Sequence, residues 1–196
     1  MASKRARAEA RRKERRKKAR RKKLLTWTAT GLGILAFSAV IVTAFSSGDA
    51  AVGSTGVESW DLPSLDSEDR VALSDFNGKP TVAAFFASWC EVCQRELPGF
   101  GALEDTIGEE VNFVGINTMN NGSGLAFAQR NGIGDWPLAR DIGQHDGRQL
   151  ATNFGARGSP TTVIYDEVGA VVDVTLGGMT AQQLASKLQQ FFGVTP

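Results

Sequence analysis

Cysteine and histidine are nearly absent from this 196-residue chain: there are two Cys, Cys90 and Cys93, and one His, His145. A structural zinc site takes four Cys or His ligands, so three such residues exclude one. Two Cys also exclude a small domain stapled by several disulfides. Charge is missing too, but only locally. Between Leu24 and Gly48 there is no Asp, Glu, Lys or Arg. Residues 1–23, in contrast, hold 14 Lys/Arg and 2 Asp/Glu, and residues 49–196 hold 8 basic and 19 acidic residues. The formal net charge of +1 therefore conceals a strongly basic tail and a strongly acidic remainder, and a plain cytosolic globule is excluded.

Leu24 to Phe45 reads LLTWTATGLGILAFSAVIVTAF, a run of 22 residues. As a helix at 1.5 Å per residue it spans about 33 Å, enough to cross a hydrocarbon core of ~30 Å once. A cleaved signal peptide has a shorter apolar region, ~7–15 residues, ending at small residues. Gly48-Asp49-Ala50 is a poor match to such a site, so the expectation is an uncleaved transmembrane helix at 24–45. Lys and Arg flanking a first membrane segment stay on the cytoplasmic side. Basic residues crowd positions 1–23, and none follows Phe45 until Arg70. The expected protein is thus single-pass in the cell membrane, with a cytoplasmic N-terminus and an extracytoplasmic domain. The basic tail is expected to contact anionic lipid headgroups, each basic residue contributing roughly 1 kcal/mol near the surface. It abuts a membrane span, so no nucleic-acid partner is expected. Residues 46–56 (SSGDAAVGSTG) read as a flexible linker, and 57–196 as the folded domain.

Within that domain Thr81 to Phe86 (TVAAFF) is a continuous apolar run after Gly78-Lys79-Pro80, as in a buried parallel strand. Glu91 to Ile107 has helical spacing at Leu97, Phe100, Leu103 and Ile107. Val111 to Ile116 reads as a second buried strand, and Leu125 to Asn131 as a helix closed by Gly132. Gln149 to Phe154 reads as a short helix closed by Gly155. Thr162 to Tyr165 and Val171 to Leu176 read as strands joined by the turn 166–169. Thr180 is expected to cap a last amphipathic helix with Leu184, Leu188 and Phe191 on one face. The expected fold class is α/β, a mixed sheet flanked by helices.

The chemistry sits where the first buried strand ends. Ser88-Trp89-Cys90-Glu91-Val92-Cys93 places a C-x-x-C at a strand-to-helix turn. A helix N-terminus favours the Cys90 thiolate and makes it a nucleophile. Cys93, one turn on, lies deeper and resolves a mixed disulfide intramolecularly. An inert staple is the bland alternative, but a bridge closing so short a loop removes little chain entropy. Glu96 shares a helix face with Cys93 and offers a carboxylate to take its proton; the alternative is a solvated residue paired with Arg95. Pro98 is expected to kink the helix. Glu91 and Val92, between the cysteines, tune the pair.

Several motifs together resemble the thioredoxin superfamily, specifically the membrane-anchored TlpA/ResA/DsbE-like thiol-disulfide oxidoreductases. They are Leu62-Pro63-Ser64-Leu65-Asp66, Leu73-Ser74-Asp75-Phe76-Asn77-Gly78-Lys79-Pro80, the segment from Phe85 through Cys90 and Cys93 to Pro98, and Gly158-Ser159-Pro160-Thr161-Thr162. The resemblance covers about residues 60 to 192. It implies a thioredoxin-like fold with a leading hairpin and an insertion after the second core strand. It implies a cis Pro160 facing the cysteines, with Trp89, Ser159, Pro160 and Thr161 meeting an extended substrate segment. In the ResA-like group a Glu at the place of Glu96 influences the cysteines. Thioredoxin has a buried Asp where this chain has Ala84, a departure. The implied activity is disulfide exchange with extracytoplasmic proteins, as an oxidase of secreted proteins or a reductase in cytochrome c biogenesis. The implied partners are substrate proteins with thiols or disulfides and a membrane electron carrier. No metal and no cofactor beyond the Cys90–Cys93 pair is expected. Copper delivery on the same fold would want a His beside the two Cys, and His145 reads as a solvated loop residue. A peroxidase would want Thr where Ala87 stands, and the intact Cys pair argues against a non-catalytic binding module.

Overall fold

The computed structural model describes residues 59–118, 123–143 and 149–195. The tail at 1–23, the apolar segment at 24–45, the linker at 46–56, the domain start at Val57 and His145 lie outside the described residues. Among the described residues no helix is long and apolar enough to cross a membrane.

The chain first forms a short antiparallel hairpin, β1 (Asp61–Pro63) and β2 (Arg70–Ala72), followed by a 3-10 turn at Leu73–Phe76. This is the leading hairpin that the resemblance implies. The main elements follow as β3 (Thr81–Phe86), α1 (Glu91–Ile107), β4 (Asn112–Asn117), α2 (Gly124–Arg130), β5 (Leu138–Arg140), α3 (Leu150–Asn153), β6 (Thr161–Tyr165), β7 (Val171–Leu176) and α4 (Ala181–Phe192). The five-stranded sheet has the order β5-β4-β3-β6-β7. Strands β3, β4 and β5 run parallel, and β6 and β7 are antiparallel additions. The fold is thioredoxin-like α/β with a mixed sheet flanked by helices.

Alternation along the central strands divides the core in two. Val82, Ala84 and Phe86 point to the face covered by Cys93, Leu97 and Phe100 of α1, Phe127 of α2 and Leu184 and Leu188 of α4. Ala83 and Phe85 point to the opposite face, which holds Trp60, Leu62, Phe76, Tyr165 and Leu150 of α3. There Trp60 Nε1 donates to the Tyr165 hydroxyl at 3.2 Å, so the one Tyr of the chain ties the hairpin region to β6.

The strand at 81–86, the helix at 91–107 and the strand at 171–176 stand where the periodicity predicts them. Other boundaries move for local reasons. Val111 still donates to Ile107 O at 3.0 Å in the turn that closes α1, so β4 begins one residue later than predicted. Ser123 caps α2 by accepting from Ala126 N at 3.1 Å, which starts that helix at Gly124. The short helix α3 loses one residue at each end, and β6 begins at Thr161. Helix α1 runs through Pro98 as one element. Thr180 caps α4 as predicted, but Phe191 is 40% exposed and it is Phe192 that packs on the core. Phe192 is four residues after Leu188, and the apolar stripe follows that spacing. Strand β5 is absent from the sequence expectations; three residues ending in an exposed Arg140 carry no readable period.

Candidate functional site

Strand β3 delivers the chain to the site. Its last residues are buried in the sheet, and Cys90 N then donates to Ala87 O at 3.1 Å, turning the backbone into α1. Cys90 is the N-cap residue of α1 in an extended conformation, and its Sγ accepts the Cys93 N–H at 3.0 Å. One donor that the helix start would leave unsatisfied is thus aimed at the Cys90 sulfur. The same donor, with the positive end of the helix dipole, stabilises a thiolate there once the pair is reduced.

Cys90 and Cys93 form a disulfide with a Cα–Cα distance of 5.3 Å. Cys90 is 3% exposed and Cys93 fully buried. The outer sulfur therefore belongs to Cys90 and the inner one to Cys93. Glu91, the first residue of the helix, is exposed. Trp89, just before the pair, and Val92, within it, are exposed apolar side chains.

Glu96 is not the solvated residue of the bland alternative. It is buried on the inner side of α1, and its Oε2 accepts from the Met179 N–H at 2.9 Å. Burial raises its pKa from 4.5 to about 7, against the opposing pull of the Met179 hydrogen bond. A carboxyl titrating near neutrality can both accept and return a proton at working pH.

The second wall of the site is the segment before β6. The Ser159–Pro160 peptide bond is cis, and Pro160 is buried. Phe85 of β3 lies opposite Thr161 of β6, so Pro160 stands beside the stretch of chain that leads to Cys90. Pro160 has no N–H, and its carbonyl accepts from Gly177 N at 3.0 Å. The backbone groups left for an extended ligand at this turn are those of Ser159, which make no hydrogen bond among the described residues. Thr161 points to the opposite side of the sheet, where its hydroxyl donates to Gly158 O. Its side chain therefore braces the proline turn from behind.

A third segment, Gly177 to Met179, bridges the other two. It meets the proline turn through Gly177 N and meets α1 through Met179 N. Gly178 touches the first turn of α1 so closely that a Cβ on it would come within 2.5 Å of Val92 Cγ1 and 3.3 Å of Glu96 Oε2. Beside this contact runs a groove of about 430 Å³ lined by Val92, Arg95, Glu96, Gly178, Met179 and Thr180. Leu176, at the end of β7, is 57% exposed and is paired with Thr161. Sequence reasoning missed Leu176 and this bridging segment. The pair Gly177-Gly178 directly after an apolar strand was its one legible signal, since adjacent glycines there suit a close backbone approach.

Residues 55–174 match the family model described as the AhpC/TSA family. The chain is 26% identical over 126 residues to the thioredoxin-like protein YneN of Bacillus subtilis, covering 62% of this chain and 71% of that protein. It is 28% identical over 141 residues to the thiol-disulfide oxidoreductase ResA of Geobacillus thermodenitrificans, covering 71% of this chain and 77% of the relative. Among solved structures, that of the MTB protein DsbF in its mixed oxidized and reduced forms is similar with a TM-score of 0.58 at 27% identity. The similarity covers 67% of this chain and 93% of that one.

Proposed function

The chain belongs to the AhpC/TSA family and is a thiol-disulfide oxidoreductase, and we propose that, like its ResA relatives, it exchanges disulfides with extracytoplasmic proteins through Cys90 and Cys93. The observation that carries this reading is the buried Cys90–Cys93 disulfide whose outer sulfur caps a helix beside a cis proline.

In the reducing direction the Cys90 thiolate attacks a substrate disulfide. One substrate sulfur leaves with the electron pair of the broken bond and takes up a proton, and a mixed disulfide forms. Cys93 passes its proton to Glu96 and attacks the Cys90 sulfur. The mixed disulfide breaks, the second substrate sulfur leaves as a thiolate, and the Cys90–Cys93 bond closes. Run backwards, the same steps oxidise a substrate dithiol. Ser159 offers its backbone groups to an extended substrate segment, which Pro160 and Thr161 hold in register. Trp89, with Val92, gives that segment an apolar rim. Glu91 and Val92 set the balance between the two redox forms. The chemistry needs no metal and no cofactor beyond the Cys pair.

The charge pattern supports a single-pass protein of the cell membrane, anchored by residues 24–45, with the basic tail on anionic headgroups at the cytoplasmic side. A membrane electron carrier then resets the pair between turnovers. One experiment tests the activity and the location together. The full chain is expected in the membrane fraction, with the folded domain cleaved by protease added outside intact spheroplasts. The same chain is expected to catalyse disulfide exchange on a reduced or a scrambled test protein, and Cys90→Ser to abolish it. Turnover that survives Cys90→Ser contradicts the exchange reading, and protection of the domain from outside protease contradicts the topology.

A further inference from the structure

Thr162 is fully buried, and among the described residues its hydroxyl has no hydrogen-bond partner. Buried hydroxyls are rarely left so, because an unmade hydrogen bond in a low-dielectric interior is expensive. Its place in the sheet says what it faces. It pairs across the strands with Ala84. Alternation puts Thr161, Val163 and Tyr165 on the hairpin side of the sheet, and Thr162 and Ile164 on the side that α1 covers. Val163, Tyr165 and Ile164 fall in the two core clusters accordingly. Of the two β6 residues facing α1, Thr162 is the one nearer the proline turn, at the end of the sheet from which β3 runs on to Cys90. Ala84, beside it, belongs to the same cluster as Cys90, Cys93 and Leu97. Ala84 carries only a methyl, so it adds no polar partner for Thr162 on this face.

The two sulfurs differ in what they already have. The Cys90 sulfur accepts the Cys93 N–H. The Cys93 sulfur is the deeper one, and the carboxylate one turn along is held by Met179 N through Oε2. In the disulfide, sulfur is a poor acceptor and the Thr162 hydroxyl stays unpaired. Reduction by a dithiol substrate delivers two electrons and two protons, opens the S–S bond, and leaves at Cys93 a buried thiol whose thiolate, formed when its proton passes to Glu96, is a far better acceptor.

We propose that Thr162 is a redox-dependent positioning residue: its hydroxyl, unpaired in the disulfide form, donates a hydrogen bond to the Cys93 sulfur once the pair is reduced. The bond favours the reduced form and holds Cys93 for its return attack on the mixed disulfide. This rests on the exchange reading above and adds a residue to it that does not meet substrate.

Thr162→Val keeps the branched shape and removes the donor; Thr162→Ser keeps the donor. The full chain and both variants are equilibrated with glutathione buffers, and the fraction oxidised is read by thiol labelling. Thr162→Val is expected to shift the equilibrium about tenfold toward the disulfide, about 30 mV for this two-electron couple, and Thr162→Ser to return it near the parent value. Denaturant unfolding of both redox forms supplies the second reading: the Val variant should lower the stability of the reduced form relative to that of the oxidised form. A purely structural role moves both forms equally and leaves the equilibrium constant unchanged, and that result overturns the proposal. So does a Ser variant that behaves like the Val variant. Cys90→Ser in the turnover assay separates failure of this proposal from failure of the exchange reading.

Discussion

Glu96 shows how a single side chain can be half legible. Its spacing from Cys93 predicts a shared helix face, and the structure adds the burial that pushes its pKa up to about 7 against the opposing hydrogen bond from Met179 N. The partner is 83 residues away in sequence, and no local pattern points to it. The raised pKa has a consequence for stability. Between its ordinary value of 4.5 and about 7 the folded state holds a proton that the unfolded state has released. Stability is then fully present below about pH 4.5 and falls as pH rises toward 7, by on the order of 3 kcal/mol in all. Glu96→Gln keeps an acceptor for Met179 N and removes the charge, so urea unfolding at pH 5 and pH 8 should show that fall in the parent and lose it in the variant. An equal fall in both would mean that Glu96 is not the group responsible. Glu91 acts in the opposite setting, exposed on the first turn of α1. Its charge opposes the Cys90 thiolate that the helix end favours. Glu91→Gln should favour the Cys90 thiolate and make the pair more oxidising. Thiolate absorbance against pH checks this, and an unchanged or higher pKa would count against it.

Elements were legible in proportion to their length and periodicity. β3 and α1, which carry Cys90, Cys93 and Glu96, could be read from the apolar run at 81–86 and the spacing of Leu97, Phe100, Leu103 and Ile107. β5 could not, because its three residues gain their order from pairing with Gly115 to Asn117 of β4 rather than from their own pattern. Gly115 itself reflects that packing, since a Cβ there would stand 2.8 Å from Leu138 Cδ2. The bridging segment at 177–179 was hidden for a related reason. It belongs to no helix or strand, and its role lies in contacts with α1 and with the turn before β6. Gly178→Ala tests it, because the added methyl has to push Val92 or the segment aside. Overpacking of this kind costs about 1–3 kcal/mol, so a loss of that size is expected by thermal unfolding, with faster hydrogen exchange at Met179 N–H. A variant as stable and as protected as the parent would show that the contact is slack.

For the whole molecule, the charge arithmetic and the apolar run at 24–45 are what the proposed order of tail, anchor, linker and domain rests on, and the described domain holds the Cys90–Cys93 pair. Its architecture places one cysteine pair at the end of β3, one buried carboxyl behind it and one proline turn beside it. In the proposed exchange, which begins at Cys90 and is completed by Cys93, each of these parts has a role. The most direct test removes the completing residue. In the full chain with Cys93→Ala, Cys90 should attack substrate disulfides and stay joined to them, so that mixed disulfides accumulate on non-reducing gels and disappear with reductant. Cys90→Ala should trap far less, because the remaining sulfur is the deeper one. If Cys93→Ala traps no mixed disulfide while remaining folded, or if Cys90→Ala traps as much, the account of Cys90 as nucleophile and Cys93 as resolving residue is contradicted.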